Sequence, residues 1–346
     1  MAEFPSKKEV RTAVIGLGGI GALHASILAS IPGCKLVAVA DREKRLIQIA
    51  SRLISSIHFY SDVKELISSE RPDAVYVCTP ADTHLAVVKE ILSVGQGPRG
   101  IFIEKPLATN VKDADEISEI TRRHNVITGV GFQRRFFPTM RKAKQMLLSG
   151  EIGEPLLVRA HHFAESILEE GDGWRFRAES GGVTLDLGVH LLDVLMYFFG
   201  DLKIVDARML KVYSKDCEDY VYAQLRNEQV PMILFEVGWS MWGFNPSDFR
   251  IEIQGTNGGL EVTPDYVNKF SREGSEGSSV RTVTFTSIEL APKLPVLIGS
   301  VENVLIDQDY ITKISTDSEP EVTINDGVKI NLIADSIRKL ASRVML

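Results

Sequence analysis

Through the first 130 residues, short apolar runs rich in β-branched side chains alternate with longer amphipathic stretches. The pattern predicts strands at 12–15, 35–40, 57–60, 74–79, 100–104 and 126–130, with helices between them. Continuous apolar strands separated by helices are the signature of a parallel sheet covered on both faces, a doubly wound α/β arrangement. After residue 131 the rhythm changes. Strand-like segments at 155–164, 203–213, 219–226, 231–239 and 248–254 follow one another with mainly short connections, which predicts a mixed or largely antiparallel sheet. The stretch 263–300 is polar and predicts no definite element, and its Gly/Ser-rich part, 271–279, reads as a loop. An amphipathic helical run opens at Asp326-Gly327 and continues to the end. Two domains follow, 1–130 and 131–346, with the helix at about 326–346 free to pack back on the first.

At 346 residues the chain is long enough for two cores, and 44% hydrophobic with 25% charged residues is an ordinary globular balance. The net charge of -7 argues against nucleic acid as the main partner. Cys34, Cys78 and Cys217 are far apart and odd in number, so neither a disulfide framework nor a metal-binding pair is indicated, and the expected setting is reducing and cytoplasmic. Residues 12–33 carry no Asp, Glu, Lys or Arg, but their glycines and the polar His24, Ser26 and Ser30 argue against a membrane span.

Those glycines have a better explanation. Gly16-Leu17-Gly18-Gly19-Ile20-Gly21 lies between the first strand and the first helix, the G-x-G-x-x-G arrangement of a dinucleotide site. The first glycine allows the tight turn, the second admits a pyrophosphate to the backbone, and the third lets helix and strand pack closely. Phosphates would sit at the helix N-terminus, where free amides and the helix dipole favour negative charge. Asp41 ends the second strand, twenty residues after Gly21, where a carboxylate can accept both ribose hydroxyls and repel a 2′-phosphate. NAD is therefore favoured over NADP, although Arg42 can stack on adenine or hold such a phosphate.

Inside the second domain, Glu179–Asp193 reads ESGGVTLDLGVHLLD. A turn at Ser180-Gly181-Gly182 releases the chain into an apolar helical run. Asp186 and His190 stand four apart, on one helix face. A carboxylate beside an imidazole can serve as an acid/base unit at neutral pH. The competing reading is a capping Asp and a core His.

Further stretches make the chain resemble the glucose-fructose oxidoreductase and inositol dehydrogenase family (Gfo/Idh/MocA). Cys78-Thr79-Pro80-Ala81-Asp82-Thr83-His84 follows the fourth strand like the family's T-P-x-x-x-H, and Glu104-Lys105-Pro106 follows the fifth like its E-K-P. Gly131-Phe132-Gln133-Arg134-Arg135-Phe136 is similar to G-F-N-R-R-F, and the ESGG stretch to G-G-x-x-x-D-x-G-x-H-x-x-D, with Ser180 and Gln133 as departures. Weaker echoes are Trp174-Arg175, the turn at 254–258 and the Asp326-Gly327 helix start.

The resemblance implies a Rossmann domain plus an α/β domain with a large, mainly antiparallel open sheet, through which homodimers or homotetramers form. It also implies a nicotinamide cofactor and a polyol, sugar or nucleotide-sugar substrate. Lys105, Asp186 and His190 are the implied catalytic group. His190 takes the hydroxyl proton, Lys105 hydrogen-bonds the reacting oxygen, and Asp186 orients His190 or a substrate hydroxyl. Thr79, Pro80, His84, Glu104 and Gln133 join the glycines, Asp41, Arg42 and Lys105 around the cofactor, while Pro106 suggests a cis peptide after Lys105. Arg175, on the acidic loop 165–179, is a substrate-contact candidate; Trp239, Trp242 and Asn245 mark a sheet face on which substrate identity depends. Arg134 and Arg135 read as structural, pairing across the domain interface. In His161-His162, strand alternation sends one ring inward and one outward. No residue cluster has metal-ligand spacing. The alternatives are a catalytically silent cofactor-binding regulator on the same fold, or a carbonyl or imine reductase of another pathway.

Overall fold

The computed structural model describes residues 9–53, 56–169, 171–177, 181–273, 279–294 and 297–341. Glu179 and Ser180 of the ESGG stretch, parts of the segments 165–179 and 271–279, and 342–346 of the C-terminal run lie outside these residues. The chain divides into two compact units, Met1–Gln133 with Lys293–Lys329 and Arg134–Pro292 with Ile330–Leu346. Lys293–Lys329, assigned to the second domain from sequence, thus clusters with the first.

In the first unit the chain runs β1 (Val10–Ile15), α1 (Gly19–Leu28), β2 (Cys34–Ala40), α2 (Lys44–Leu53), β3 (His58–Tyr60), α3 (Val63–Glu70) and β4 (Ala74–Val77). It continues through α4 (His84–Leu92), β5 (Gly100–Ile103), α5 (Val111–Arg123) and β6 (Ile127–Val130). The six strands are all parallel, in the order β3-β2-β1-β4-β5-β6. Every residue of β4 and β5 is buried, as the unbroken apolar runs require of strands covered on both faces. Helix starts are set locally: Asp62 and Asn110 accept the amides of Glu65 and Asp113 and so cap α3 and α5. The sheet reverses order between β1 and β4, which opens a crevice at the strands' carboxyl ends.

The second unit holds α6 (Pro138–Leu148), β7 (Pro155–Phe163), α7 (Val189–Phe199), β8 (Lys203–Leu210), β9 (Tyr220–Arg226), β10 (Met232–Gly238) and β11 (Asp248–Gly255). After these come β12 (Gly258–Val262), β13 (Tyr266–Glu273), β14 (Ser279–Thr286) and the single turn α8 (Ser287–Leu290). Eight strands form one sheet, β14-β13-β12-β11-β7-β10-β9-β8, antiparallel except for the β7–β10 pair. Alternate residues Val158, Ala160 and His162 of β7 and Ile233, Phe235 and Val237 of β10 are buried. The intervening positions are partly or fully exposed, the period-2 pattern of a sheet with one packed face. Within the stretch 263–300, which predicted no element, β13 and β14 form the far end of this sheet.

Two helices complete the chain. In α9 (Val301–Thr316), Val304, Asp307, Tyr310, Ile311 and Ile314 form one buried stripe within the first unit. Tyr310 donates its hydroxyl to the Ile127 carbonyl of β6, and Arg99 donates to the Ile314 carbonyl. The last helix, α10 (Ile324–Ala341), begins where Thr323 and Asp326 exchange hydrogen bonds, and it contributes residues to both units. Among the described residues no helix is long and apolar enough to cross a membrane.

Candidate active site

The parallel sheet of the first unit brings the carboxyl ends of its strands to one edge. Gly16 follows β1, Asp41 follows β2, Thr79-Pro80 follow β4, Glu104-Lys105 follow β5 and Gln133 follows β6. The glycines divide as their proposed roles require. Gly16 has φ +97°, and a Cβ there would lie 2.7 Å from the Cys78 carbonyl oxygen; on Gly21 it would lie 1.9 Å from the Gly16 oxygen. Gly18 and Gly19 face open space, with nothing within 4 Å of a built Cβ. Helix α1 starts there with no side-chain cap and no acidic residue in its first turn, so its amides remain available to phosphate. Ile20 sits in this first turn.

Asp41 closes the loop from the other side. Its carboxylate accepts the Leu17 amide at 2.6 Å and the Glu43 amide at 2.7 Å, which fixes its orientation beside the glycines. Arg42 is exposed and reaches Glu90 at 3.5 Å. The Lys105-Pro106 peptide is cis. The Gln133 side-chain oxygen is buried with no hydrogen-bond partner among the described residues, an acceptor suited to a carboxamide N–H. These residues fit a dinucleotide. His84 does not present a ring to a ligand. It is buried, with its ring nitrogens at the Leu107 and Thr79 carbonyls, 3.1 and 2.9 Å away. Burial holds its pKa below the ordinary imidazole value. Its ring thus bridges the backbone at Thr79 and at Leu107.

In the second unit the helical run has a feature the spacing did not reveal. Thr184–Gly188 is a π-helical turn that leads into α7, so Asp186 lies in the wide turn and His190 in the first turn of the α-helix. Gly182, at φ +101°, presses against Glu218, where a Cβ would come within 2.2 Å of the carboxylate. Buried Glu218 accepts the Thr184 amide and pairs with Arg338 of α10 at 3.2 Å, anchoring the start of the π turn. Asp186 is paired with Arg175 at 3.3 Å, and the Arg175 guanidinium lies over Trp174. The Arg175 carbonyl accepts the Gly182 amide, so the loop bearing Arg175 is tied to the turn bearing Asp186.

His190 is buried, 6.2 Å ring to ring from the inward-facing His162. His162 Nδ1 faces the Leu187 carbonyl at 3.2 Å, and its Nε2 faces Arg134 at 3.3 Å. Arg135, read from sequence as a structural residue, is buried. It makes a buried ion pair with Asp193 of α7, within the second unit, at 2.6 Å. Trp239 is no part of an open sheet face: it is fully buried and donates to Asp219 at 2.6 Å. Burial alone would raise the Asp219 pKa, but donors from Ser214, Trp239 and the Val212 amide outweigh it and hold the carboxyl below its usual range. Trp242 is exposed.

Residues 10–132 match the profile of an oxidoreductase family with an NAD-binding Rossmann fold, GFO_IDH_MocA, and residues 140–261 match the GFO/IDH/MocA C-terminal domain. The chain belongs to this family. It is an NAD-binding oxidoreductase of the dehydrogenase type. Among its relatives, the scyllo-inositol 2-dehydrogenase (NAD(+)) of Bacillus subtilis (strain 168) is 33% identical over 56% of this chain and 54% of its own. The myo-inositol 2-dehydrogenase of Thermotoga maritima is 35% identical over 56% and 55%. Each of these matches thus spans about half of the relative. The oxidoreductase YrbE of Bacillus subtilis is 26% identical over 94% of this chain and 93% of its own. A levoglucosan dehydrogenase solved with NADH and levoglucosan shares the fold, with TM-score 0.85 over 96% of this chain and 97% of its own at 21% identity.

Sequence reasoning passed over two sets of residues here. Glu218 and Asp219 brace the second unit's site, but their partners are distant in sequence. His24 of α1, noted only as a polar break in an apolar run, is buried between Glu104 and Asp307. Its visible signal was a charged residue, Asp307, inside the apolar stripe of α9.

Proposed function

We propose that this enzyme transfers a hydride between NAD and a secondary hydroxyl of a cyclitol or sugar, with Lys105, Asp186 and His190 acting on the substrate. The reading is supported by the glycine loop and Asp41 of the first unit, which fit a dinucleotide, and by Asp186 and His190 of the second, which lie in and just after a turn braced by Glu218. Oxidation of an alcohol needs a proton acceptor, for which His190 serves, and a cation to favour the developing alkoxide, for which Lys105 serves. Asp186, paired with Arg175, offers a carboxylate to a second substrate hydroxyl, and Arg175 contacts the substrate beside it. NAD supplies the hydride acceptor when bound. Gly16, Gly18, Gly19, Ile20, Gly21 and Asp41 hold its adenosine and phosphates, and Thr79, Pro80, Lys105 and Gln133 its nicotinamide end. The inositol and levoglucosan dehydrogenases among the relatives support a polyol or sugar substrate.

The test is NADH formation, followed by its absorbance, with a panel of inositols, free sugars and nucleotide sugars. Absence of turnover throughout would favour the regulator reading. In the same assay Asp41→Ala is expected to weaken NAD at least about 10-fold, through loss of charge-assisted bonds, and to narrow the preference over NADP. An unchanged ratio of NAD to NADP affinity would count against the ribose role.

The open face of the eight-stranded sheet is the proposed contact between copies of the chain. It carries partly buried His161, Phe163, Tyr220 and Glu236, and Phe163 stacks with His161 and Tyr220. A dimer or tetramer is expected in sedimentation, and a monomer at micromolar concentration would refute it.

A further inference from the structure

His24 of α1, Glu104 at the end of β5 and Asp307 of α9 meet in the core of the first unit, though none is adjacent to another in sequence. Nε2 of His24 lies 3.0 Å from Glu104 Oε1, and Nδ1 lies 2.9 Å from both carboxylate oxygens of Asp307. Both ring nitrogens face carboxyl oxygens, so a ring protonated at both would donate to each; burial pushes the Asp307 carboxyl up, against the pull of the His24 charge and hydrogen bond. The other oxygen of Glu104 accepts the Lys105 backbone amide at 3.2 Å. One chain of hydrogen bonds therefore runs from α9 through the helix behind the glycine loop to the turn that carries Lys105.

We propose that His24 is a positioning residue for Lys105, an imidazolium clamped between Glu104 and Asp307 that fixes the Glu104 carboxylate and, through it, the Lys105 turn. The proposal rests on the reading of Lys105 as a catalytic residue. Ion pairs in a core are costly to desolvate, and removing one partner leaves the other uncompensated. Aromatic and thiol-bearing residues pack around the cluster. Tyr76 and Phe102 pack on the His24 ring at 5.3 and 5.4 Å, Tyr310 packs on both, and Cys34 and Cys78 lie close to the carboxylates.

Burial disfavours the imidazolium, but the charges and hydrogen bonds of Asp307 and Glu104 outweigh it and raise the His24 pKa to about 10. Burial pushes Cys34 up to about 12 and Cys78, Tyr76 and Tyr310 well above their ordinary values. None of these four loses its proton near neutral pH. A buried carboxylate that loses its cationic neighbour takes up a proton. His24→Gln should then weaken the hold of Glu104 on the Lys105 amide, because the carboxyl oxygen that faced His24 loses its charged partner.

The test has one arm that needs no turnover. In the whole protein without cofactor, the ¹⁵N shifts of the His24 ring should report protonation of both nitrogens to about pH 9, above the ordinary imidazole range. Deuterium exchange of the Lys105 amide at neutral pH should be about 10-fold faster in His24→Gln, as expected for loss of a charge-assisted bond. With whichever polyol the wild type turns over, the variant's kcat should fall about 10-fold or more at pH 7. The acid limb of its pH profile should move up by about one unit or more. A neutral His24 ring at pH 8, or an unchanged Lys105 amide in the variant, overturns the proposal. A purely structural role would lower the melting temperature without moving the pH profile. If His24→Gln does not fold, Asp307→Asn keeps the His24-Glu104 contact and removes one charge. His24 should then lose its proton at a lower pH, and an unchanged titration would contradict the clamp. Failure of the Lys105 reading shows separately, as retained turnover in Lys105→Met, and leaves the amide-exchange arm decisive for the clamp.

Discussion

Replacing Lys105 with methionine is expected to lower kcat by at least about 10²-fold, the usual cost of removing a donor aimed at developing negative charge, while NAD affinity changes little. The expectation follows from its place in the sheet. Lys105 follows β5, at the carboxyl edge where open α/β sheets bind ligands, and its backbone amide is held by the Glu104 carboxylate. Methionine keeps the length and apolar stem of the side chain and removes only the ammonium. Folding and the glycine cradle should therefore survive, and fluorescence titration with NAD should show it. Retained turnover would remove Lys105 from the catalytic group.

The largest effect on stability is expected at the Arg135-Asp193 pair. Asp193 is fully buried, and its carboxylate meets Arg135 through both Nε, at 2.7 Å, and a terminal nitrogen, at 2.6 Å. Asp193→Ala leaves a buried guanidinium without its counter-charge, a change that typically costs about 3–5 kcal/mol. For a unit of this size the melting temperature should drop by roughly 10 °C, measured by circular dichroism. Replacing both residues together, as in Arg135→Met with Asp193→Leu, should recover much of the loss, because no uncompensated charge is then buried. A single variant as stable as the wild type would show that the pair does not brace α7. Because α7 carries His190 three residues earlier, the single variant should also lower activity.

The sequence carried the first unit well because its chemistry is local. All six parallel strands, the glycine loop and the acidic strand end at Asp41 lie where the pattern predicts them, since strands buried on both faces are unbroken apolar runs. The far strands of the second sheet were not legible. β12 opens with Gly258-Gly259, and β14 is exposed at five of its eight positions and buried at none, so neither shows a clean alternation. Helix α9 was missed for a similar reason: its apolar stripe is interrupted by Asp307, whose partner His24 lies 283 residues away. The same limit applies to the site. The spacing of Asp186 and His190 was visible, but the π turn between them depends on Glu218 and on Gly182 fitting against it. Trp239 looked like a surface aromatic in sequence because nothing local announces Asp219, the acceptor that takes its N–H into the core.

The central claim, an NAD-dependent dehydrogenase of polyols or sugars, is tested most directly by wild-type enzyme incubated with NAD and the panel of inositols, sugars and nucleotide sugars, with NADH read at its absorbance band. The account predicts NADH formation with at least one cyclitol or sugar, faster with NAD than with NADP, and lost in Lys105→Met. No NADH with any member of the panel, from protein shown to bind NAD, would contradict it.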